Sequence, residues 1–477
     1  MSSLTLVWIS LPFFIGFISY LLPKLARYLS LGVAIASVGY ALLLFTQPPL
    51  PLQLLDHFGV TLLLDSLSGF FILTNAVVTA AVILYCWGSD KTAFFYMQTI
   101  ILHGSVNSAF ACMDFISLYV ALEVISIAAF LLIAYPRTDR SIWVGLRYLF
   151  TSNVAMLFYL VGAVLVYQAS HSFAFTGLRE APPEALALIF LGLLVKGGIF
   201  VSGLWLPLTH SESETPVSAM LSGVVVKAGV LPLVRCALLI EEIDPLIRIF
   251  GVGTALMGVG YAVFEKDTKR MLAFHTVSQL GFILAAPEVG GFYALTHGLV
   301  KSALFLIAGV LPSRNLKELQ HKPLTTPIWL VLVIASFSIS GFPLLSGFGA
   351  KVLTMKSLLP WQVIGMNVAA LGTAISFAKF IFLPHQNQAE AKKNQPGFWT
   401  AIVLLIGGLI LANLVYYEAY SLANIVKPLI TIALGWLAYF LIFRQTVLKL
   451  PRLLEQFDHL IGVMSLMLIL LFWMVLA

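Results

Sequence analysis

About sixteen apolar runs, each near 20 residues, fill this chain, and each is long enough to cross a lipid bilayer. They fall near 4–22, 26–46, 62–87, 93–113, 115–135, 142–168, 184–206, 216–240, 245–264, 268–287, 289–311, 325–358, 360–383, 397–417, 424–443 and 458–477. Hydrocarbon offers a backbone no hydrogen-bond partners, so only helices and closed barrels span it. The alternating pattern of barrel strands is absent. The expected fold is therefore an all-α polytopic membrane protein with about 14–16 transmembrane helices. Composition agrees: 60% of residues are hydrophobic and 10% charged, against roughly a quarter charged in soluble domains. No stretch is long or polar enough for a separate soluble domain.

The first run follows Met-Ser-Ser with no basic segment before it, and reads as a retained helix rather than a signal peptide. Cys86, Cys112 and Cys236 show no CxxC spacing and read as core or lipid-facing thiols. Lys and Arg gather in alternate loops: Lys24/Arg27, Arg137/Arg140, Lys266/Lys269/Arg270, Arg314/Lys317/Lys322, Lys392/Lys393 and Lys449/Arg452. All follow odd-numbered runs, which places them in the cytoplasm and both termini outside. The loop Thr209–Glu214 is the exception, acidic where a basic loop is expected. The basic loops are too short, and too poor in aromatics, to imply nucleic acid.

Three places break the helical pattern inside apolar surroundings: Lys196-Gly-Gly198 leading to Leu206-Pro-Leu208, Glu214-Thr-Pro216, and Gly341-Phe-Pro through Gly349. Broken helices in corresponding positions of two halves point to a transport site. The seventh run carries Lys196 beside its break and the twelfth carries Lys351 beside its own. The eighth carries Lys227 and the thirteenth Lys379. Five runs separate the members of each pair, so runs four to eight and nine to thirteen read as two copies of one unit. An odd number of crossings makes the second copy inverted. The organisation expected is N-terminal helices in 1–92, a first five-helix unit in 93–240, an inverted second unit in 241–384, and C-terminal helices in 385–477. The glycine-rich stretch Gly251–Gly260 follows no strand and reads as close helix packing rather than a nucleotide loop.

Titratable groups recur at membrane depth: Glu123, Lys196, Lys227, His297, Lys301, Lys351 and Lys379. Each costs roughly 3 kcal/mol at the centre of a span, so each should be paired, wet or used. Together they suggest a path for an ion. His297 and Lys301, at i and i+4, share one helix face and can relay protons. Glu123 and Lys196 form either a static pair that fixes packing or the start of the path. Lys351 borders the second break. Lys379, near its run's end, either joins the path or snorkels to the interface. His275 and Ser278 share a face and could hold bridging water. His210 is either a gate or a plain loop histidine.

Several of these segments carry a family resemblance. Leu204-Trp-Leu-Pro-Leu-Thr-His210 with Thr215-Pro-Val-Ser-Ala-Met-Leu-Ser-Gly-Val-Val-Val-Lys227 is similar to the signature of proton-conducting antiporter-like subunits. These include the large subunits of Mrp-type Na⁺/H⁺ antiporters and the antiporter-like membrane subunits of complex I. Asp267-Thr-Lys-Arg-Met-Leu-Ala-Phe-His275 through Ser278 and Gly281 resembles the family's DxKRxLAYSSxSxxGY pattern. Thr296–Leu306, Gly341–Lys351 and Asp65-Ser-Leu-Ser68 resemble three further motifs, so the likeness spans roughly residues 60–385. Phe274 and His275 stand where the family has Tyr and Ser, and Leu208 where Asp is common. The resemblance implies an inlet pair at Glu123 and Lys196, then Lys227, a central His297/Lys301, and a terminal Lys351. Asp65, His210, His275, Ser278 and Lys379 are possible path or gate residues. Lys351 and the compact length favour the Mrp D-type subunit.

The function implied is a proton-translocating subunit of a multisubunit cation/proton (Na⁺/H⁺) antiporter in the cell (inner) membrane. The alternative is an antiporter-like proton-pumping subunit of a complex I-type NAD(P)H or ferredoxin:quinone oxidoreductase, in a cell or thylakoid membrane, which would make the chain part of a translocase. Expected partners are other membrane subunits, H⁺, Na⁺ and the bilayer; no cofactor and no metal are expected. A haem protein using His103, His275 and His297 lacks paired axial spacing, and a non-conducting assembly subunit would not need so many buried charges.

Overall fold

The computed structural model describes residues 2–55, 59–387, 396–444 and 450–476. Lys392, Lys393 and Lys449, named above among the loop cations, lie outside the described residues. Every apolar run folds as a helix or a broken helix. Helices α1 (Ser2–Leu21) and α2 (Ala26–Leu44) lead through an antiparallel pair, β1 (Leu50–Leu55) and β2 (Gly59–Leu64), to α3 (Ser66–Tyr85). Then come α4 (Ala93–Ala111), α5 (Phe115–Ile133) and α6 (Asp139–Ser170). The seventh run divides into α7 (Pro183–Gly197), a 3₁₀ stretch (Phe200–Trp205) and α8 (Leu206–Glu212). The eighth divides into α9 (Thr215–Met220), a π-helical turn (Leu221–Val225) and α10 (Lys227–Leu239). The chain continues as α11 (Asp244–Phe264), α12 (Thr268–Ala285), α13 (Gly290–Ala308) and the short α14 (Leu316–Leu319). The twelfth run divides into α15 (Thr326–Ser340) and α16 (Ser346–Lys356), followed by α17 (Val363–Ile381), α18 (Phe398–Val415), α19 (Leu422–Ala438) and α20 (Phe457–Leu476). Thirteen helical segments among the described residues are long and apolar enough to cross a membrane. The three other runs fold as α4, as α12 and as the broken α15–α16.

The internal repeat is written in the backbone. α7 and α15 are each 15 residues long, each carries Pro in its first turn, and each ends on a left-handed glycine, Gly198 (φ 67°) and Gly341 (φ 81°). Both ends close alike: the Ile199 N–H donates to the Leu194 carbonyl (2.9 Å) and the Phe342 N–H to the Phe337 carbonyl (3.0 Å). Only glycine adopts this conformation without a Cβ penalty. A second device is also duplicated. Asp114 and Asp267 cap α5 and α12 by accepting the Ser117 and Arg270 amides. Next to each cap, the chain forms a two-bond bridge to the loop after the following helix. The Phe115 and Thr268 amides donate to the Phe173 and Arg314 carbonyls, both at 2.8 Å. The Phe175 and Leu316 amides donate back to the Met113 and Lys266 carbonyls, at 3.1 and 2.9 Å.

The acidic exception among the loops is resolved by its neighbours. Glu212 pairs with Arg140 (3.2 Å) and lies 3.8 Å from Arg314, while Glu214 pairs with Lys91 (2.6 Å). The loops after the third, fifth, seventh and eleventh runs therefore meet on one side, as the charge pattern requires. Burial rises toward the middle of the molecule. An 18-residue stretch within each of the spans Thr215–Leu239 and Pro287–Ala308 is wholly buried, whereas only 17% of such a stretch in Leu422–Phe443 is. Lys227, His297 and Lys301 thus lie in buried stretches, and the whole of α12 is buried too.

Candidate functional site

Lys196 lies in the last turn of α7, directly before the Gly197-Gly198 break, and its side chain is buried. Its ammonium donates to the Leu122 carbonyl of α5 (3.0 Å) and to the Ser126 hydroxyl. Glu123 stands half-buried between those two partners in sequence, yet no ion pair within 4 Å joins it to Lys196 among the described residues. A cavity of about 10 Å³ lies beside Lys196, lined by Tyr148, Thr151, Ser152 and Trp205, enough for about one water molecule.

Lys227 sits directly after the π-helical turn. Such turns leave backbone carbonyls without their regular helical donors, and the Lys227 ammonium fills that gap: it donates to the Gly223 carbonyl (2.6 Å) and the Ser222 carbonyl (3.4 Å). Its head also reaches α13, where a methyl built on Gly298 would lie 3.6 Å from it. His297, the preceding residue, is therefore the nearest titratable side chain on that helix in sequence. Lys301, one turn on, donates across to the Leu272 carbonyl of α12 (2.5 Å).

Helix α12 carries the row onward. His275, Gln279 and Phe282, spaced by four and three, occupy one face. The Tyr293 hydroxyl of α13 donates to Gln279 Oε1 (2.6 Å), and Gln279 Nε2 reaches the Thr373 hydroxyl of α17 (3.5 Å). A second cavity of about 10 Å³ lies among Gln279, Tyr293, His297, Ser338 and Gly347, at the break between α15 and α16. Lys351 follows, buried, with its ammonium 5.5 Å from the Phe282 ring centre and its stem pressed against Gly341. The imidazoles of His210, His275 and His297 and the ammonium of Lys351 have no protein hydrogen-bond partner among the described residues. Buried polar groups left open in this way are where water enters a protein interior.

Other expected residues have different contacts. Ser278 donates to the Ala255 carbonyl of α11 (3.0 Å) and so faces away from the row; Gln279 occupies the place expected for it beside His275. Lys379 spends its donors on the carbonyls of Ala262, Val263 and Glu265 (2.6–3.2 Å), the C-terminus of α11, which is a helix cap. Asp65 caps α3 through the Ser68 amide and grips Arg235 of α10 with both oxygens (2.5 and 2.7 Å). His210 is buried in α8 between Trp205 and Phe305. His103 is held by Ser37, Thr79 and Asn107 within 3.2 Å, apart from the row. Sequence reading missed Ser126, Arg235, Gln279, Tyr293 and Thr373. Arg235 had a signal, since it is a charge inside an apolar run. The others are ordinary residues whose roles come only from what they touch.

The model of the NADH:quinone oxidoreductase/Mrp antiporter transmembrane family matches residues 112–376, from the end of α4 into α17. The chain belongs to this family. Every residue from Glu123 to Lys351 in the row falls within the matched segment. The D-type member of the Na⁺/H⁺ antiporter of Alkalihalophilus pseudofirmus is 27% identical, over 85% of this chain and 91% of that protein. The N-type member of the NADH-quinone oxidoreductase of Desulforudis audaxviator is 29% identical, over 83% and 86%. A chain of the Mrp complex from Dietzia sp. DQ12-45-1b shares the fold, with a TM-score of 0.76 over 97% of this chain and 99% of that one, at 19% identity. Membership in the NADH:quinone oxidoreductase/Mrp antiporter family accords with the broken helices and the duplicated unit.

Proposed function

We propose that the chain is a proton-translocating subunit of a multisubunit cation/proton antiporter, working beside other membrane subunits. Protons move along Glu123, Lys196, Lys227, His297/Lys301 and Lys351, with His275 and Gln279 bridging the last interval. The observation that carries this reading is how the ammoniums are held. Lys196, Lys227 and Lys301 rest on backbone carbonyls and a hydroxyl, and no carboxylate lies within ion-pair distance of them among the described residues. A buried cation seated on neutral dipoles is less firmly fixed than one locked to a carboxylate, so it can give up and regain its proton. The named relative in Alkalihalophilus supports an antiporter. Units 93–240 and 241–384 would each supply part of the path, with 1–92 and 385–477 framing them.

The test uses everted membrane vesicles carrying the whole complex. Addition of Na⁺ should discharge an imposed proton gradient, and Lys196→Ala and Lys301→Ala should abolish that response while the protein stays in the membrane. The second reading, a proton-pumping subunit of a quinone oxidoreductase, is favoured by the Desulforudis relative of similar identity and coverage. It predicts that proton movement follows quinone reduction and ignores Na⁺.

A further inference from the structure

A cavity of about 460 Å³ opens beside the junction of α8 and α9, lined by Cys86, Ser89, Asp90, Lys91, Glu214, Thr215, Lys269 and Gly309 among others. It lies on the side where the loop cations gather, the cytoplasmic side. We propose that this cavity is the cytoplasmic mouth of the proton path and that Lys269 carries protons inward from it. The proposal rests on the path reading above and connects the cytoplasm to the middle of that row, at Lys301, rather than to its Glu123 end.

Lys269 lines the cavity, yet its side chain is buried, with its ammonium donating to the Ser213 carbonyl (3.0 Å) and lying 3.5 Å from the Ser218 hydroxyl. It thus touches both the cavity and the protein interior. Ser218 in turn donates to the carbonyls of His210 and Ser213 (2.7 and 3.1 Å). The buried His210 imidazole, with neither nitrogen bonded within the protein among the described residues, stands 6.0 Å from the Phe305 ring. The Lys301 ammonium stands 5.9 Å from the same ring. One phenyl ring therefore borders both the open histidine and the central lysine. Protonated Lys269 releases H⁺ to water and that water delivers it to a His210 nitrogen. The amine left on Lys269 takes its next H⁺ from the cavity. Charge and protons balance at every step.

An ion pair holds the rim of the mouth. Both Glu214 oxygens accept from the Lys91 ammonium (2.8 and 2.6 Å), which also lies 4.5 Å from the Tyr135 ring. Lys269 binds Ser213, the residue before Glu214, so mouth and relay grip adjacent residues of one break.

The test compares three variants of the intact complex in vesicles. Lys269→Gln keeps an amide donor for the Ser213 carbonyl but cannot carry a proton, so the proposal expects proton flux to fall about a hundredfold. A purely structural Lys269 would leave flux near normal, and that result would overturn the relay. Ser89→Cys, placed in a chain whose Cys86, Cys112 and Cys236 are Ala, should conduct until a cationic methanethiosulfonate reaches it. Block should follow only when the reagent is applied from the cytoplasmic face. Continued flux after full labelling would overturn the mouth, even if Lys269→Gln failed to fold. Lys301→Ala separates the two layers of the argument. If it is inactive while Lys269→Gln and the fully labelled Ser89→Cys both conduct, the path stands and its mouth is elsewhere. If it conducts, the path itself falls.

Discussion

Lys196 stands beside Glu123 without pairing with it: its ammonium binds the Leu122 carbonyl and the Ser126 hydroxyl on either side. Ser126 is thus the residue that keeps the lysine from its carboxylate, and it is itself held by Ser152 (3.1 Å). Ser126→Ala should let Lys196 turn to Glu123 and lock there. A hydrogen bond to a charged group contributes about 2 kcal/mol, so vesicle proton flux should fall roughly tenfold or more. Glu123→Gln in the same background should not restore it, because the carboxyl is itself a step of the path. Unchanged flux in Ser126→Ala would show that the serine does not set this balance.

The two left-handed glycines should respond alike. Gly198→Ala and Gly341→Ala each place a Cβ at positive φ, a cost of about 1–2 kcal/mol. The new methyls would also press on Leu206 and on the Lys351 stem. Thermal unfolding in detergent should show lower midpoints for both, and Gly341→Ala should also lose transport because Lys351 is displaced. Equal stability of wild type and both variants would contradict this account of the breaks.

Glu265, in the loop between α11 and α12, ties three segments together. Burial pushes its carboxyl up, but the Asp267 and Lys266 amides and the Arg270 guanidinium outweigh that and hold it below the usual carboxylate range. A depressed carboxyl stabilises the fold above its unfolded pKa of about 4.3, and that contribution is lost as pH falls further. Unfolding midpoints should therefore drop steeply below about pH 4.3 in wild type. Glu265→Gln should start lower at pH 7 and show a shallower acid slope. Parallel slopes would rule out this carboxylate as the cause.

Glu455 accepts Arg270 through both oxygens (2.7 and 2.8 Å), and its backbone carbonyl accepts Arg147. The start of α20 is thereby anchored to both α6 and α12. Glu455→Gln leaves Arg270 with less compensation in a buried setting, at a cost on the order of 3 kcal/mol. Proteolysis from the cytoplasmic face should then cut near residue 450 faster than in wild type. Equal cleavage rates would count against the anchor.

The broad plan was legible because hydrocarbon leaves the chain few choices. Apolar runs near 20 residues gave the helices, and Gly198, Pro207, Pro216 and Gly341 marked the breaks. Lys196, Lys227, His297, Lys301 and Lys351 stood out because charge at membrane depth is costly. Their partners were not legible. Lys227 reaches carbonyls freed by a π-helical turn that leaves no trace in periodicity. Asp65 and Arg235 meet across 170 residues, and the spacing of Lys379 could not distinguish a relay from a helix cap. Ser278 and Gln279 are adjacent in sequence, and only the packing of α11 against α12 decides which faces His275.

The central claim is that protons cross through the buried row, and Lys301 sits fully enclosed at its centre. Proton flux should be measured in vesicles containing the intact complex with Lys301→Ala, against wild type at equal membrane content. Loss of flux with the complex still assembled is the result predicted here; flux at the wild-type rate would contradict it.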